Sequence, residues 1–290
     1  TQLDALFRGA AQEVAEPTEF SDRPRDISYL LDTLTLRSQV NQLNLDSVAV
    51  IGHSFGGYTV LALSGARLDQ ENLQTNCDSN ALIYNAANPT MVLQCPALLA
   101  PEQFSYDLQD ERVDAVIALN PVTSSLFGHE GFAQLSVPSL FVAGSEDPLA
   151  PALLEQIRPF TWLDQTDANP HSHYLALIDG GSHLYEPLPP EQSDDAGLSD
   201  ILISADLPLT GSYLKSLSLG FLRAELDQNP IYQTALDDAS IVQVGEPSLP
   251  LFLVSQLTVE MLKPIPAEVP EISPETAPDG LETETDLEIE

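Results

Sequence analysis

Val48–Leu63 reads VAVIGHSFGGYTVLAL. Asp46–Gly52 is short and nearly continuously apolar, the pattern of a strand buried on both faces of a sheet. From Gly56 the apolar spacing turns helical through Val60, Leu61 and Leu63, to about Arg67. Between the two runs lies Gly52-His53-Ser54-Phe55-Gly56, a G-x-S-x-G pattern. A strand that turns sharply into a helix strains the residue at the corner and points its side chain outward. Glycines at both flanks, Gly52 and Gly56, relieve the crowding a Cβ would cause. The expectation is an elbow with the Ser54 hydroxyl standing clear at its tip.

A serine hydroxyl is a weak nucleophile until a base takes its proton. The rest of the chain must therefore supply a base and a group to orient it. Three further apolar runs read as strands: VDAVIALNP (Val113–Pro121), PSLFVAGSEDPLAP (Pro138–Pro151) and HYLALIDGGSH (His173–His183). Helix-like or loop segments separate them, which predicts a β-α-β series and an α/β fold with a mostly parallel sheet flanked by helices. Function in such sheets collects at the C-terminal strand ends. Ser54, Asp147 and His183 all fall there, in the chain order Ser, Asp, His. His183 is the expected base, and Asp147 the acceptor that fixes its tautomer and orientation. Glu146 competes with Asp147, one residue out of register. Other histidines read as structural: His53 packed into the elbow, His129 in a loop, and His171 and His173 as an H-x-H pair with no third metal ligand at fixed spacing. Asp114, inside a strand, is expected to be paired or to face an edge.

Upstream, RPRDISYLLDTL predicts a helix with Pro24 in its first turn and Ile27, Leu30, Leu31 and Leu34 on one face. Residues 70–110 are polar, rich in Asn, Gln and Pro, and read as a cap-like excursion over the site. They hold both cysteines, Cys77 and Cys95, whose spacing suits neither a zinc knuckle nor a redox pair. A disulfide between them would point to a periplasmic or secreted protein, whereas two buried thiols would not. Leu209–Leu226 reads as an amphipathic helix with Leu214, Leu217, Phe221 and Leu222 on one face, Thr210 as a candidate cap and Asn229-Pro230 as its stop. The apolar stretch around Leu251 fits helix or strand equally. From 264 to 290 the chain holds five prolines, nine acids and no base, the composition of a disordered tail following a domain at 1–263.

The chain of 290 residues carries 44 acidic and 10 basic side chains, a net charge of −34. Such a surface repels nucleic-acid phosphates and anionic membranes. No apolar run reaches the ~18 residues of a bilayer span. Neither a metal nor an organic cofactor is implied, and oligomeric state is not readable.

At RPRDISYLLD, VIGHSFGGYTVL, GSEDPLAP and GGSHLYE the chain resembles the α/β-hydrolase superfamily. More narrowly, it resembles the platelet-activating-factor acetylhydrolase-like group, often labelled predicted dienelactone hydrolases in bacteria, including cyanobacteria. The resemblance covers about Phe20 to Pro190. It implies Ser54 as nucleophile, Asp147 as acid, His183 as base and the Phe55 backbone N–H as an oxyanion donor. True dienelactone hydrolases carry a cysteine nucleophile, so with serine here the implied substrate is an ordinary or lipid-like ester. Such folds place several strands and a His-Gly loop, the source of a second oxyanion donor, ahead of the elbow. The residues before Asp46 show neither, so an N-terminally truncated hydrolase domain is expected. Peptidase, polyesterase or thioesterase chemistry, and a non-catalytic binding module of the same fold, stay open as alternatives.

Overall fold

The computed structural model describes residues 16–37, 42–78, 88–163, 172–187, 201–237, 241–259 and 261–262. Their elements run α1 (Glu19–Leu36), β1 (Val48–His53), α2 (Phe55–Leu63), α3 (Gln70–Cys77), β2 (Val113–Leu119), α4 (Ser124–Phe132), β3 (Ser139–Gly144), β4 (His173–Ile178), α5 (Leu207–Glu225), α6 (Pro230–Asp237), β5 (Ile241–Gln243) and β6 (Leu251–Val254). The strands form one mixed sheet in the order β1-β2-β3-β4-β6-β5. β1 to β4 run parallel, and β6 returns antiparallel to β4 and β5. The ambiguous stretch at Leu251 is therefore a strand.

Alternation along the central strands splits the core into two layers. Val116, Ala118, Phe141, Ala143 and Leu175 face a cluster with Phe20, Tyr58, Leu61 and Phe127 from α1, α2 and α4. Ala115, Ile117, Leu140, Val142, Tyr174 and Ala176 face Leu217, Phe221, Ala224 and Leu236 from α5 and α6. A strand covered on both faces must be apolar at every position, which explains the unbroken runs in β2, β3 and β4.

β1 departs from the expected burial. None of its residues is buried, and Ile51 is 53% exposed. The reason is position: among the described residues β1 is the edge strand of the sheet, paired with β2 alone. Helix α1 reflects the same opening. Of its expected apolar face only Leu31 is buried, while Leu30 is exposed. Nor does Pro24 lie in the first turn, because α1 begins at Glu19. A proline inside a helix strips the carbonyl one turn back of its donor. Phe20 is that carbonyl, and the buried Tyr58 hydroxyl donates to it at 2.5 Å.

Helix α5 starts two residues earlier than expected and is capped by Asp206, whose carboxylate accepts from the Leu209 N–H at 3.1 Å. Thr210 is not the cap; its hydroxyl donates back to Ala205 O. Leu217 and Phe221 are buried as expected, with Leu214 and Leu222 packed beside them. α5 ends at Glu225, and Pro230 opens α6. Asp114, exposed on β2, accepts from the Val48 N–H at 2.8 Å.

The excursion at 70–110 contains α3, one helical turn at Met91–Gln94 and two 3₁₀ segments. Cys77 and Cys95 form a disulfide, a bond compatible with an oxidising compartment. A buried polar knot ties this segment to the start of α4 and to the helical turn Leu153–Ile157. The Glu155 carboxylate accepts from Asn88, Thr90, Gln94 and the Ser124 hydroxyl, and from the backbone N–H groups of Thr123 and Ser124. Gln94 Oε1 accepts from the N–H groups of Ser125 and Leu126. The amides that open α4 have no intrahelical acceptors, and these two side chains supply them. Residues 264–290 and His171 lie outside the described residues. Among the described residues no helix is long and apolar enough to cross a membrane.

Candidate active site

Ser54 sits between β1 and α2 with φ 54° and ψ −117°, a conformation costly for a residue with a Cβ. Its backbone is held from both sides. The Ser54 N–H donates to Leu119 O at 2.8 Å, and Gly57 N–H donates to Ser54 O at 2.9 Å. The glycines divide their work differently from expectation. A Cβ on Gly52 would lie 2.1 Å from Gly56 O, and one on Gly57 would lie 2.7 Å from the Pro121 Cβ. A Cβ on Gly56 would meet nothing within 4 Å. The close approaches are thus strand against helix start at Gly52, and helix against the β2 end at Gly57. Phe55 opens α2, so its amide has no helical carbonyl to bond.

Asp147 and His183 follow β3 and β4, the second and third neighbours of β1 across the sheet. His183 Nε2 stands 3.0 Å from Ser54 Oγ, and His183 Nδ1 2.7 Å from Asp147 Oδ2. Asp147 and His183 are each only 5% exposed. The other carboxylate oxygen, Asp147 Oδ1, accepts from the N–H groups of Leu149 and Ala150 at 2.8 and 2.9 Å. An ionised carboxylate only accepts, so His183 Nδ1 carries the proton and Nε2 is left bare to take one from Ser54. Glu146, the competing acid, is exposed, whereas Asp147 is buried and bonded to His183.

His53 does more than fill the elbow. Its Nε2 lies 2.7 Å from the main-chain carbonyl of His183, so that nitrogen carries a proton. The rings of His53 and His183 stand 4.9 Å apart. Burial holds the His53 imidazole below its usual pKa, and the neighbouring His183 lowers it further. The His183 carbonyl, Asp147 and Glu186 act in the opposite direction. Both influences that lower the value favour the neutral His53 imidazole. Tyr185 is pushed well above the usual phenol range by burial, and by the Asp147 charge behind it.

One expectation for the other histidines changes. His129 lies in the second half of α4, exposed, with its ring 6.2 Å from Trp162, and is not in a loop. Buried His173 accompanies the Ser139 hydroxyl at 2.8 Å across β3 and β4. Asn120, passed over in the sequence as a strand-end residue, is fully buried at φ 40° and touches the turns that carry Asp147 and His183. Its signal was the Asn-Pro pair closing an otherwise apolar strand. Among the described residues no cluster of three or more His, Cys, Asp or Glu is placed to hold a metal. A cleft of about 430 Å³, lined by Glu146, Pro148, Gly180, Ser182, Ile201 and Ile203, opens beside the loops of Asp147 and His183.

No protein-family model matches this chain, and no curated protein matches it.

Proposed function

We propose that the chain is a serine hydrolase of the α/β-hydrolase fold, cleaving carboxylic esters, small or lipid-like, through an acyl-enzyme. One observation carries this reading: the unbroken Ser54–His183–Asp147 chain, with bonds of 3.0 and 2.7 Å, at the ends of three parallel strands. The resemblance at VIGHSFGGYTVL, GSEDPLAP and GGSHLYE supports it independently.

Ser54 Oγ attacks the ester carbonyl carbon while its proton passes to His183 Nε2. The carbonyl oxygen becomes an oxyanion, and the Phe55 amide is a donor free to meet it. Collapse of the tetrahedral species breaks the bond to the alcohol oxygen, which takes the proton from His183 and leaves. Water then attacks the acyl-Ser54 carbonyl, giving its proton to His183, and the second collapse frees the acid and restores Ser54. Asp147 stays ionised throughout and stabilises the imidazolium. With its disulfide, a periplasmic or secreted setting fits the protein.

Labelling with a fluorophosphonate probe, alongside hydrolysis of p-nitrophenyl esters, tests the assignment. Ser54→Ala is expected to abolish labelling and to cut kcat by about 10⁴-fold or more. Equal labelling of Ser54→Ala and the parent would sink the reading.

A further inference from the structure

Asn120 occupies an improbable place. It is 0% exposed, adopts φ 40°, and precedes Pro121, whose ring disfavours helical backbone in the residue before it. Left-handed backbone at a non-glycine residue persists only where the surroundings over-determine it. Here they do. Asn120 Oδ1 accepts from the Gly144 N–H at 3.0 Å and from the Tyr185 hydroxyl at 2.8 Å. Asn120 Nδ2 donates to the main-chain carbonyls of Ser182 and His183 at 3.0 and 3.1 Å. The backbone N–H of Asn120 donates to Val142 O at 2.8 Å.

The partners make the amide's orientation unambiguous. Gly144 N–H and the Tyr185 hydroxyl can donate to it, whereas Ser182 O and His183 O can only accept. A flipped amide would set donor against donor and acceptor against acceptor. Three of the four partners are main-chain groups of the segments that carry Asp147 and His183. Gly144 ends the strand that leads to Asp147, and Ser182 and His183 are the turn that carries the base. Leu119, the preceding residue, holds the Ser54 N–H. The end of β2 is thus the point at which all three strand ends are tied together. His53, at the end of β1, donates to the same His183 carbonyl, so that carbonyl has two donors.

We propose that Asn120 is a positioning residue for the triad: it fixes the main chain of His183 relative to the β3 end, and so holds the imidazole between Ser54 and Asp147. The inference rests on the ester-hydrolase reading for its kinetic consequence, but its structural core does not need turnover.

The test is Asn120→Asp in the full chain. Asp fits the same space and tolerates the left-handed backbone, but it replaces the two amide donors by an acceptor facing two carbonyls. Steady-state hydrolysis of a p-nitrophenyl ester is expected to show kcat lowered about 10- to 100-fold, with KM within about 3-fold of the parent. The far-downfield proton resonance of the His183–Asp147 hydrogen bond, present in the parent, is expected to broaden or vanish. A folded variant with kcat within about 2-fold of the parent and an unchanged resonance would overturn the proposal. A parent inert to esters and to the fluorophosphonate would remove the hydrolase reading alone, and the resonance would then decide the clamp. A parent lacking the resonance overturns the clamp too. Should Asn120→Asp fail to fold, Tyr185→Phe removes one donor to Oδ1 only. A kcat lowered about 3- to 10-fold is then expected, and no change in kcat or resonance would reject the clamp.

Discussion

Gly52, Gly56 and Gly57 look alike in the sequence, yet they answer to different neighbours. Gly52 cannot carry a Cβ without driving it into the Gly56 carbonyl at 2.1 Å, whereas Gly56 itself faces open space. Gly52→Ala is therefore expected to destabilise the fold by about 3–5 kcal/mol. Gly56→Ala, inside a helix, is expected to be neutral or stabilising by up to about 1 kcal/mol. Chemical denaturation of the two variants beside the parent measures both, and a Gly56→Ala as damaging as Gly52→Ala would contradict the geometry. Ser54, Asp147 and His183 were legible because strand ends, turn residues and chain order all pointed at them. Asn120 was not, because its importance lies in three bonds to distant main chain, one to the Tyr185 hydroxyl and a positive φ. The Asn-Pro pair marks the position, but no local pattern encodes such contacts.

At the level of elements, the parallel strands were readable from their unbroken apolar runs, and α5 from its periodicity. What misled was reach. Spacing put Ile27, Leu30, Leu31 and Leu34 on one face of α1, but spacing says which face is apolar and not whether anything covers it, and of the four only Leu31 is buried. Likewise the Glu155 knot joins side chains 61 to 67 residues away from Asn88, Thr90 and Gln94, and appears in no motif. Helix α1 is held to the start of β2 by a second polar tie. Arg112 pairs with Asp110 at 2.6 Å and with Asp32 of α1 at 2.8 Å. The Arg112 guanidinium holds the Asp110 carboxyl down at about 2, from an ordinary 3.8, with burial opposing. A depressed carboxylate contributes stability above its unfolded pKa and loses it as the pH falls through the folded one. The gap in Tm between the parent and Asp110→Asn should hold steady above pH ~5 and close between pH ~4 and ~2. A gap that stays constant to the acid end would show that the ion pair is not its source.

For the whole molecule, the Glu155 knot anchors the excursion to the start of α4, and the Cys77–Cys95 disulfide, which closes a separation of 18 residues, cross-links the excursion within itself. A loop of that size corresponds to about 3 kcal/mol. Reduction under native conditions is expected to lower Tm by several degrees, and the Cys77→Ser, Cys95→Ser double variant should match the reduced parent. If reduction leaves Tm unchanged, the disulfide is not a source of the segment's stability.

The order in which the strands meet has a kinetic meaning. Ser54 and His183 are 129 residues apart in the chain, and they touch only when β1 to β4 lie side by side. Parallel pairing requires long loops to close before any contact repays them, so such sheets form slowly. The hydroxyl-to-imidazole bond is then among the last contacts made as the chain folds. Reactivity towards an active-site probe becomes a clock for completed assembly, lagging behind the return of helical signal after dilution from denaturant.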